Sequence, residues 1–219
     1  MSIWRNIRLN METFDLYLAS ASPRREELLR TLGLNFITCP VDADESIFDH
    51  ESVSKRVELL AVHKAKLAAQ QYGIQSGWII GADTLVEIPA ETNTSPIILG
   101  KPADYNEAKA MLIQLSGRMH LVWTGIAIIN VTENSVHTTV NRTEVHFTQM
   151  SPATIDAYLA TNEWKGVAAA YRIQGKGGCF IHHIKGSYSC VMGLPICDFY
   201  GILVQSGYPS MEQWGNAAQ

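Results

Sequence analysis

The sequence predicts an α/β protein built on a mixed sheet flanked by helices. Three observations carry that expectation. In the first half, short apolar runs of strand length alternate with longer patterns of helical period. Past residue 118, two long β-rich runs follow each other with period-two alternation, which favours antiparallel pairing. Hydrophobic residues make up 47% of the 219 positions, enough for a proper core in one domain or two closely packed lobes.

The elements follow in order. Residues 14–20 read as a first strand. A helix then opens with Ser22 as N-cap and Pro23 in the first helical position, carries an apolar stripe of Leu28, Leu29 and Leu32, and stops at Gly33. Residues 35–41 suggest a second strand, and the acidic stretch 42–45 a loop. Residues 53–72 form a long helix ended by Gly73. "WIIGAD", 78–83, reads as a short buried strand, with 85–88 and 97–99 as a hairpin around the polar, flexible segment 89–96. A helix runs from Asp104 as N-cap to Ser116, the β-rich runs cover about 119–131 and 136–148, and Ser151-Pro152 opens another helix. Residues 178–184 make a strand and 194–205 a final helix. The expected organisation is an N-terminal extension over 1–13, one domain over 14–207 and a C-terminal tail over 208–219. The first ten residues read as dispensable, with Met11 a workable start and no signal-peptide pattern before it.

Composition removes several classes of function. The formal net charge is −4, with no clustered basic face, which argues against nucleic-acid binding. No apolar run reaches transmembrane length. The four cysteines (Cys39, Cys179, Cys190, Cys197) lack paired CxxC spacing and read as reduced thiols of a cytoplasmic protein.

Several residues sit where packing alone would not put them. Arg24 and Arg25 fall in the first turn of a helix, where the dipole already favours anions. Either Glu26 and Glu27 neutralise them in water, or the pair and the free N–H groups make a phosphate site. Lys64 lies in the middle of the face formed by Val57, Leu60, Ala61 and Ala68; it must snorkel out, pair with a carboxylate or meet a ligand anion. Asp83 ends an apolar strand, where ligands gather in open α/β sheets, and can hold a metal, orient a water or cap the turn through Thr84. Gly100 and Pro102 set Lys101 on a defined turn. Glu45 is a metal ligand or part of a solvated acidic loop. Gln174 has an amide that suits the edge of a base. Cations suit a polyphosphate, and acids suit a divalent ion bridging phosphates and water. The combination points to nucleotide chemistry without a Rossmann or P-loop fingerprint.

These residues lie in "LASASPRREELLRTLGL", "DADES", "HKAKLAA", "IIGADTLV", "ILGKP", "LSGRMHLVWTGIAI", "YRIQGKGG" and "IKGSYSCVMGLPI". As an ordered set, from about Phe14 to Leu203, they resemble the Maf family of nucleoside triphosphate pyrophosphatases. The resemblance implies two lobes around an elongated cleft, similar to inosine triphosphate pyrophosphatases. It implies hydrolysis of a nucleoside triphosphate to the monophosphate and pyrophosphate with a divalent cation (magnesium, manganese or cobalt), and a homodimer in the cytoplasm. Carried over, Asp83 looks like the catalytic acid that activates water, Glu45 like its partner, and both like metal ligands. Arg25, Lys64 and Lys101 look like phosphate binders, with Ser20 and Ser22 adding hydrogen bonds. Arg24, Thr84 and Gln174 match the markers of the branch acting on dTTP and UTP.

The chain also departs from the family pattern. It reads AAAYRIQG where AGAYGIQG is common, so Ala169 and Arg172 replace glycines; Lys165-Gly166 stand where an acid is common, and Cys190 where Asn is common. Two other readings stay open: the same reaction on purine or 7-methylguanosine triphosphates, with Arg172 as the reason, and a nucleotide-binding regulator of septum formation.

Overall fold

A computed structural model describes residues 15–90 and 95–209. The expected extension over 1–13, the start of the first strand at Phe14, the middle of the 89–96 segment and residues 210–219 lie outside the described residues. Tyr208, placed by sequence in a tail, is buried and stacks edge-on against Trp78 at 5.2 Å.

The strands are β1 (Leu16–Leu18), β2 (Ile37–Thr38), β3 (Trp78–Ile88), β4 (Ile97–Leu99), β5 (Met119–Asn130), β6 (Ser135–Phe147) and β7 (Ile181–Lys185). They form one seven-stranded sheet in the order β2-β1-β3-β5-β6-β7, with β4 pairing on β3. β1 runs parallel to β2 and β3, and the remaining pairs are antiparallel, so the sheet is mixed as expected. The helices are α1 (Pro23–Thr31), α2 (Val53–Tyr72), α3 (Tyr105–Leu115), α4 (Pro152–Leu159), α5 (Tyr188–Met192) and α6 (Ile196–Gln205).

Four local expectations are corrected. The run read as a strand 78–83 followed by a hairpin arm 85–88 is one continuous strand, β3, because β5 pairs with it from Trp78 to Glu87 without a break. The second strand shrinks from 35–41 to two residues. The acidic loop at Glu45 begins a 3-10 turn, Glu45–Phe48, capped by the Asp44 carboxylate. The last strand starts at Ile181, not 178, and the five-residue helix α5 between Ser187 and the left-handed Gly193 is not legible in the apolar periodicity.

Apolar side chains of α1 and α6 pack on Leu16, Leu18, Ile80, Ile126 and Ile128 at one end of the sheet. At the other end, α3 and α4 pack on Val86, Val122, Val145 and Phe147 as a second core. On the opposite face α2 lies directly against the sheet, since β3 and β5 offer glycines beneath it. A Cβ on Gly81 would stand 2.0 Å from the Ala61 carbonyl oxygen, and one on Gly125 2.4 Å from that of Val57. Both glycines therefore set the depth of α2 and, with it, the height of Lys64 over β3.

The cleft between the two cores follows from the pairing. β1 covers one edge of β3 only from Trp78 to Ile80, and β4 covers that edge only from Val86 to Ile88. Between them the edge of β3 carries no strand among the described residues. Asp83 and Thr84 stand in that gap, pointing to opposite faces of the sheet yet opening on one space.

Candidate active site

A cavity of about 350 Å³ fills the gap, a size that suits a small-molecule ligand. Its lining brings together Ser20, Ser22, Arg24, Arg25, Glu45, Lys64, Asp83, Thr84 and Lys101. Gln174 is not among the lining residues; it is exposed on the turn before Gly175.

On the α2 face, Lys64 is buried and its Nζ donates to Glu45 Oε1 and Asp83 Oδ1, both at 2.6 Å. Of the three fates open to a lysine on an apolar face, pairing with carboxylates is the one adopted. Burial raises the Glu45 carboxyl, but Lys64, with Lys101 and Arg25 beyond it, outweighs burial and holds it below the usual range. Lys101 Nζ is exposed and stands 4.0 Å from Glu45. Asp83 Oδ2 is buried and has no hydrogen-bond partner among the described residues. An unpaired buried carboxylate oxygen on a residue that lines the cavity is the kind of hard donor a divalent cation takes. Among the described residues no cluster of three or more His, Cys, Asp or Glu side chains could hold a metal. Two carboxylates with one free buried oxygen fit an ion such as magnesium, which completes its shell with water and phosphate oxygens.

On the other face, Arg25 is the organiser. Its Nε donates to the Gly193 carbonyl (2.8 Å), Nη1 to Ser20 Oγ (3.1 Å) and Nη2 to Thr84 Oγ1 (3.1 Å). Burial lowers its pKa while Asp83 and Glu45 oppose the shift. Arg24, on the same turn of α1, makes no hydrogen bond or ion pair among the described residues. Burial first, then Arg25 and Arg172, pull its guanidinium down to about 10. Glu26 pairs with Arg30 instead of neutralising either arginine. Ser22 takes the N-cap position but makes no side-chain cap, which leaves its hydroxyl for other partners. An arginine pair without a carboxylate at a helix start is a site that favours an anion.

Sequence reasoning missed two contributors. Thr124 is fully buried and bonds both Thr84 and the Cys190 carbonyl. A lone threonine in the apolar run "LVWTGIAII" was the available signal, because a buried hydroxyl requires partners. Tyr171 forms another wall, held by a 2.9 Å bond to His120, whose burial pushes it down to about 3 and keeps it neutral. The two departures from the family pattern next to that wall have local consequences. Ala169 and Ala170 adopt left-handed φ values of 54° and 61°, a conformation that favours glycine. Arg172 turns its Nη2 to the Lys165 carbonyl (3.3 Å) and does not line the cavity.

A family model described as "Maf-like protein" matches residues 15–206. A dTTP/UTP pyrophosphatase of Moorella thermoacetica is 41% identical over 91% of this chain and 97% of its own length. Proteins of the same name from Clostridium acetobutylicum and Myxococcus xanthus are each 40% identical, over 88% and 92% of this chain and 98% and 97% of theirs. Among solved structures, the Ham1 protein of Staphylococcus aureus is similar at 13% identity and a TM-score of 0.41, covering 61% of this chain and 71% of that one.

Proposed function

The chain belongs to the Maf family, and we propose that it hydrolyses dTTP and UTP to the monophosphate and pyrophosphate with a divalent cation. The observation that carries this reading is Asp83: a buried carboxylate with one oxygen on Lys64 and the other unpartnered, facing a cavity lined by arginines and lysines. The relatives' names supply the substrates.

Asp83 takes the proton of a water that attacks the α-phosphorus, while the bond from that phosphorus to the bridging oxygen breaks and pyrophosphate leaves. Lys64 orients Asp83 and Glu45, keeping both carboxylates at one point. Lys101 and Arg24, neither tied into a close pair, receive the charge that builds on the leaving group. Ser20 offers a hydroxyl proton to a phosphate oxygen. Glu45 and Asp83 would hold the cation, which supplies Lewis-acid polarisation of the phosphate and a more acidic water.

No helix among the described residues is long and apolar enough to cross a membrane, and the cytoplasm, where nucleotide pools lie, is the proposed compartment. The homodimer implied by the family resemblance is checked by the solution mass.

Pyrophosphate release is the test, across dTTP, UTP, CTP, ATP, GTP and 7-methylguanosine triphosphate, with magnesium, manganese or cobalt. Asp83→Asn runs beside the native protein. The expected result is preference for dTTP and UTP, with kcat lowered about 10³-fold in the variant, the size of a general-base contribution. Turnover confined to purines overturns the substrate assignment. Nucleotide binding without turnover by native protein favours the regulator.

A further inference from the structure

We propose that Thr124 sets the base selectivity of the cavity by forcing the Thr84 hydroxyl oxygen to act only as a hydrogen-bond acceptor. The inference rests on the dTTP/UTP reading above and explains how such a preference is produced.

The argument is a count of protons. A hydroxyl has one proton to give and two lone pairs. The Cys190 carbonyl can only accept, so Thr124 Oγ1, 2.9 Å away, donates to it. The Gly193 N–H donates to the same carbonyl at 2.9 Å, which uses its second lone pair. Thr124 has then spent its proton. Thr84 Oγ1 lies 3.0 Å from Thr124 Oγ1, so in that bond Thr84 is the donor. Arg25 Nη2 has no lone pair and donates to Thr84 Oγ1 at 3.1 Å. Thr84 is left with no proton and one open lone pair. Thr124 is 0% exposed, so no water competes for its bond to the Cys190 carbonyl, and Thr84, at the cavity wall, turns its one open lone pair to the ligand space.

Ser20 sits on the other arm of the same guanidinium with the opposite polarity. Its Oγ accepts from Arg25 Nη1 (3.1 Å) and from the Ser22 N–H (3.2 Å). Both lone pairs are used and the proton is free. Arg25 thus divides the cavity into a donor end at Ser20 and an acceptor end at Thr84. Phosphate oxygens only accept, so they match Ser20 and are repelled by Thr84. The group that meets Thr84 must carry a proton. Thymine and uracil present an N3–H. Cytosine N3 and adenine N1 present a lone pair, and a lone pair against the Thr84 oxygen leaves two buried acceptors unpaired. The contact sorts bases by their imide N–H, and other walls sort them by size.

The structure therefore assigns to Thr124 a positioning role, without contact to substrate. The test is kcat/KM for pyrophosphate release by native protein, Thr124→Val and Thr124→Ser. The substrates are dTTP, dCTP, N3-methyl-dTTP and the 2′,3′-dideoxy analogue of dTTP. Native protein is expected to favour dTTP over dCTP and over N3-methyl-dTTP by roughly 10- to 100-fold, the size of the penalty for a mismatched, partly buried hydrogen-bond contact, and to accept the dideoxy analogue. In Thr124→Val the Thr84 proton is released to turn into the cavity, and the dTTP/dCTP ratio falls at least about tenfold; Thr124→Ser restores it. A merely structural role would lower both substrates together and leave the ratio unchanged, which overturns the proposal. Equal turnover of dTTP and N3-methyl-dTTP by native protein also overturns it, with no variant needed. Loss on the dideoxy analogue alone moves the Thr84 contact to a sugar hydroxyl and overturns the base assignment. Native protein inactive on dTTP removes the reading beneath, a result distinct from active protein without discrimination.

Discussion

Asp83 and Thr84 are neighbours on β3 that face opposite sides of one sheet, and their surroundings are opposite in kind. Asp83 lies in a charged cluster in which one lysine bridges two carboxylates and one carboxylate oxygen has no partner. Thr84 lies in a chain of directed hydrogen bonds whose anchors are carbonyls and hydroxyls. Ion pairs tolerate exchange of partners, because charge attracts from many directions. A chain of hydroxyls holds one polarity only while every link stays in place. The first face is suited to groups that arrive and leave with each turnover, such as a cation and a water. The second is suited to a contact that must read the same way each time. The uncovered edge of β3 between β1 and β4 is what lets both open on one cavity.

If the charged face owes its shape to Lys64, removing that ammonium should have the largest effect on stability. In Lys64→Met the Asp83 and Glu45 carboxylates lose their shared partner. Breaking a buried pair costs about 3 kcal/mol, so the denaturant midpoint should fall accordingly and activity should collapse with it. Manganese or magnesium should recover part of the lost stability in the variant, since a divalent ion can occupy the point between the two carboxylates. An unchanged midpoint would mean that the two faces do not differ in the way described.

The hydroxyl face, organised by Arg25, should respond to geometry more than to charge. Arg25→Lys keeps the positive charge but not the planar fork that reaches Gly193, Ser20 and Thr84 together. Loss of one such bond from a charged donor, net of what lysine remakes, is expected to cost about 2 kcal/mol, with discrimination between dTTP and dCTP weakened alongside. Full retention of both by lysine would show that charge, not direction, is what this face requires.

The difference between the faces also decided what the sequence revealed. Lys64 stood out because a cation in an apolar stripe violates the helical pattern, and the need for a partner followed directly. Its partners are less legible: Glu45 and Asp83 each lie 19 residues away, and only the 3-10 turn and the depth of α2 over Gly81 and Gly125 bring them together. The family resemblance makes Arg25 a phosphate binder. That three of its nitrogens bond a carbonyl and two hydroxyls could not be seen, because the Gly193 turn follows α5, a helix of five residues with too few positions to show a period. Thr124 escaped notice since threonine is ordinary in a strand. Gln174 belongs to the site by its motif alone: it is exposed on a turn and is not among the residues that line the cavity. The gap in the edge of β3 leaves the opposite trace: the apolar run 78–83 marks Asp83 as a strand end, but nothing in that run shows that β5 continues alongside to Glu87.

The smallest expected effect separates the two faces by acid. The carboxyl of Glu45 is held low in the folded protein by Lys64, Lys101 and Arg25 against the pull of burial. A depressed carboxyl contributes stability above its unfolded pKa, near 4.5, and loses it as pH falls through the folded value. The Thr84 chain contains no group that titrates in that window. Native protein should therefore become easier to denature between about pH 5 and pH 3. Glu45→Gln should show a shallower fall over the same range, with a difference of no more than about 1 kcal/mol because Glu45 is partly open to solvent. His120 acts in an adjacent window. Its folded value near 3 lies below its ordinary 6.5, so the loss it causes begins as pH drops below 6.5 and is shared by native protein and variant. Subtracting one denaturation curve from the other cancels His120 and leaves the Glu45 contribution alone. Identical slopes below pH 4.5 would show that the charged face draws nothing from Glu45, and that Lys64 and Asp83 hold it without help.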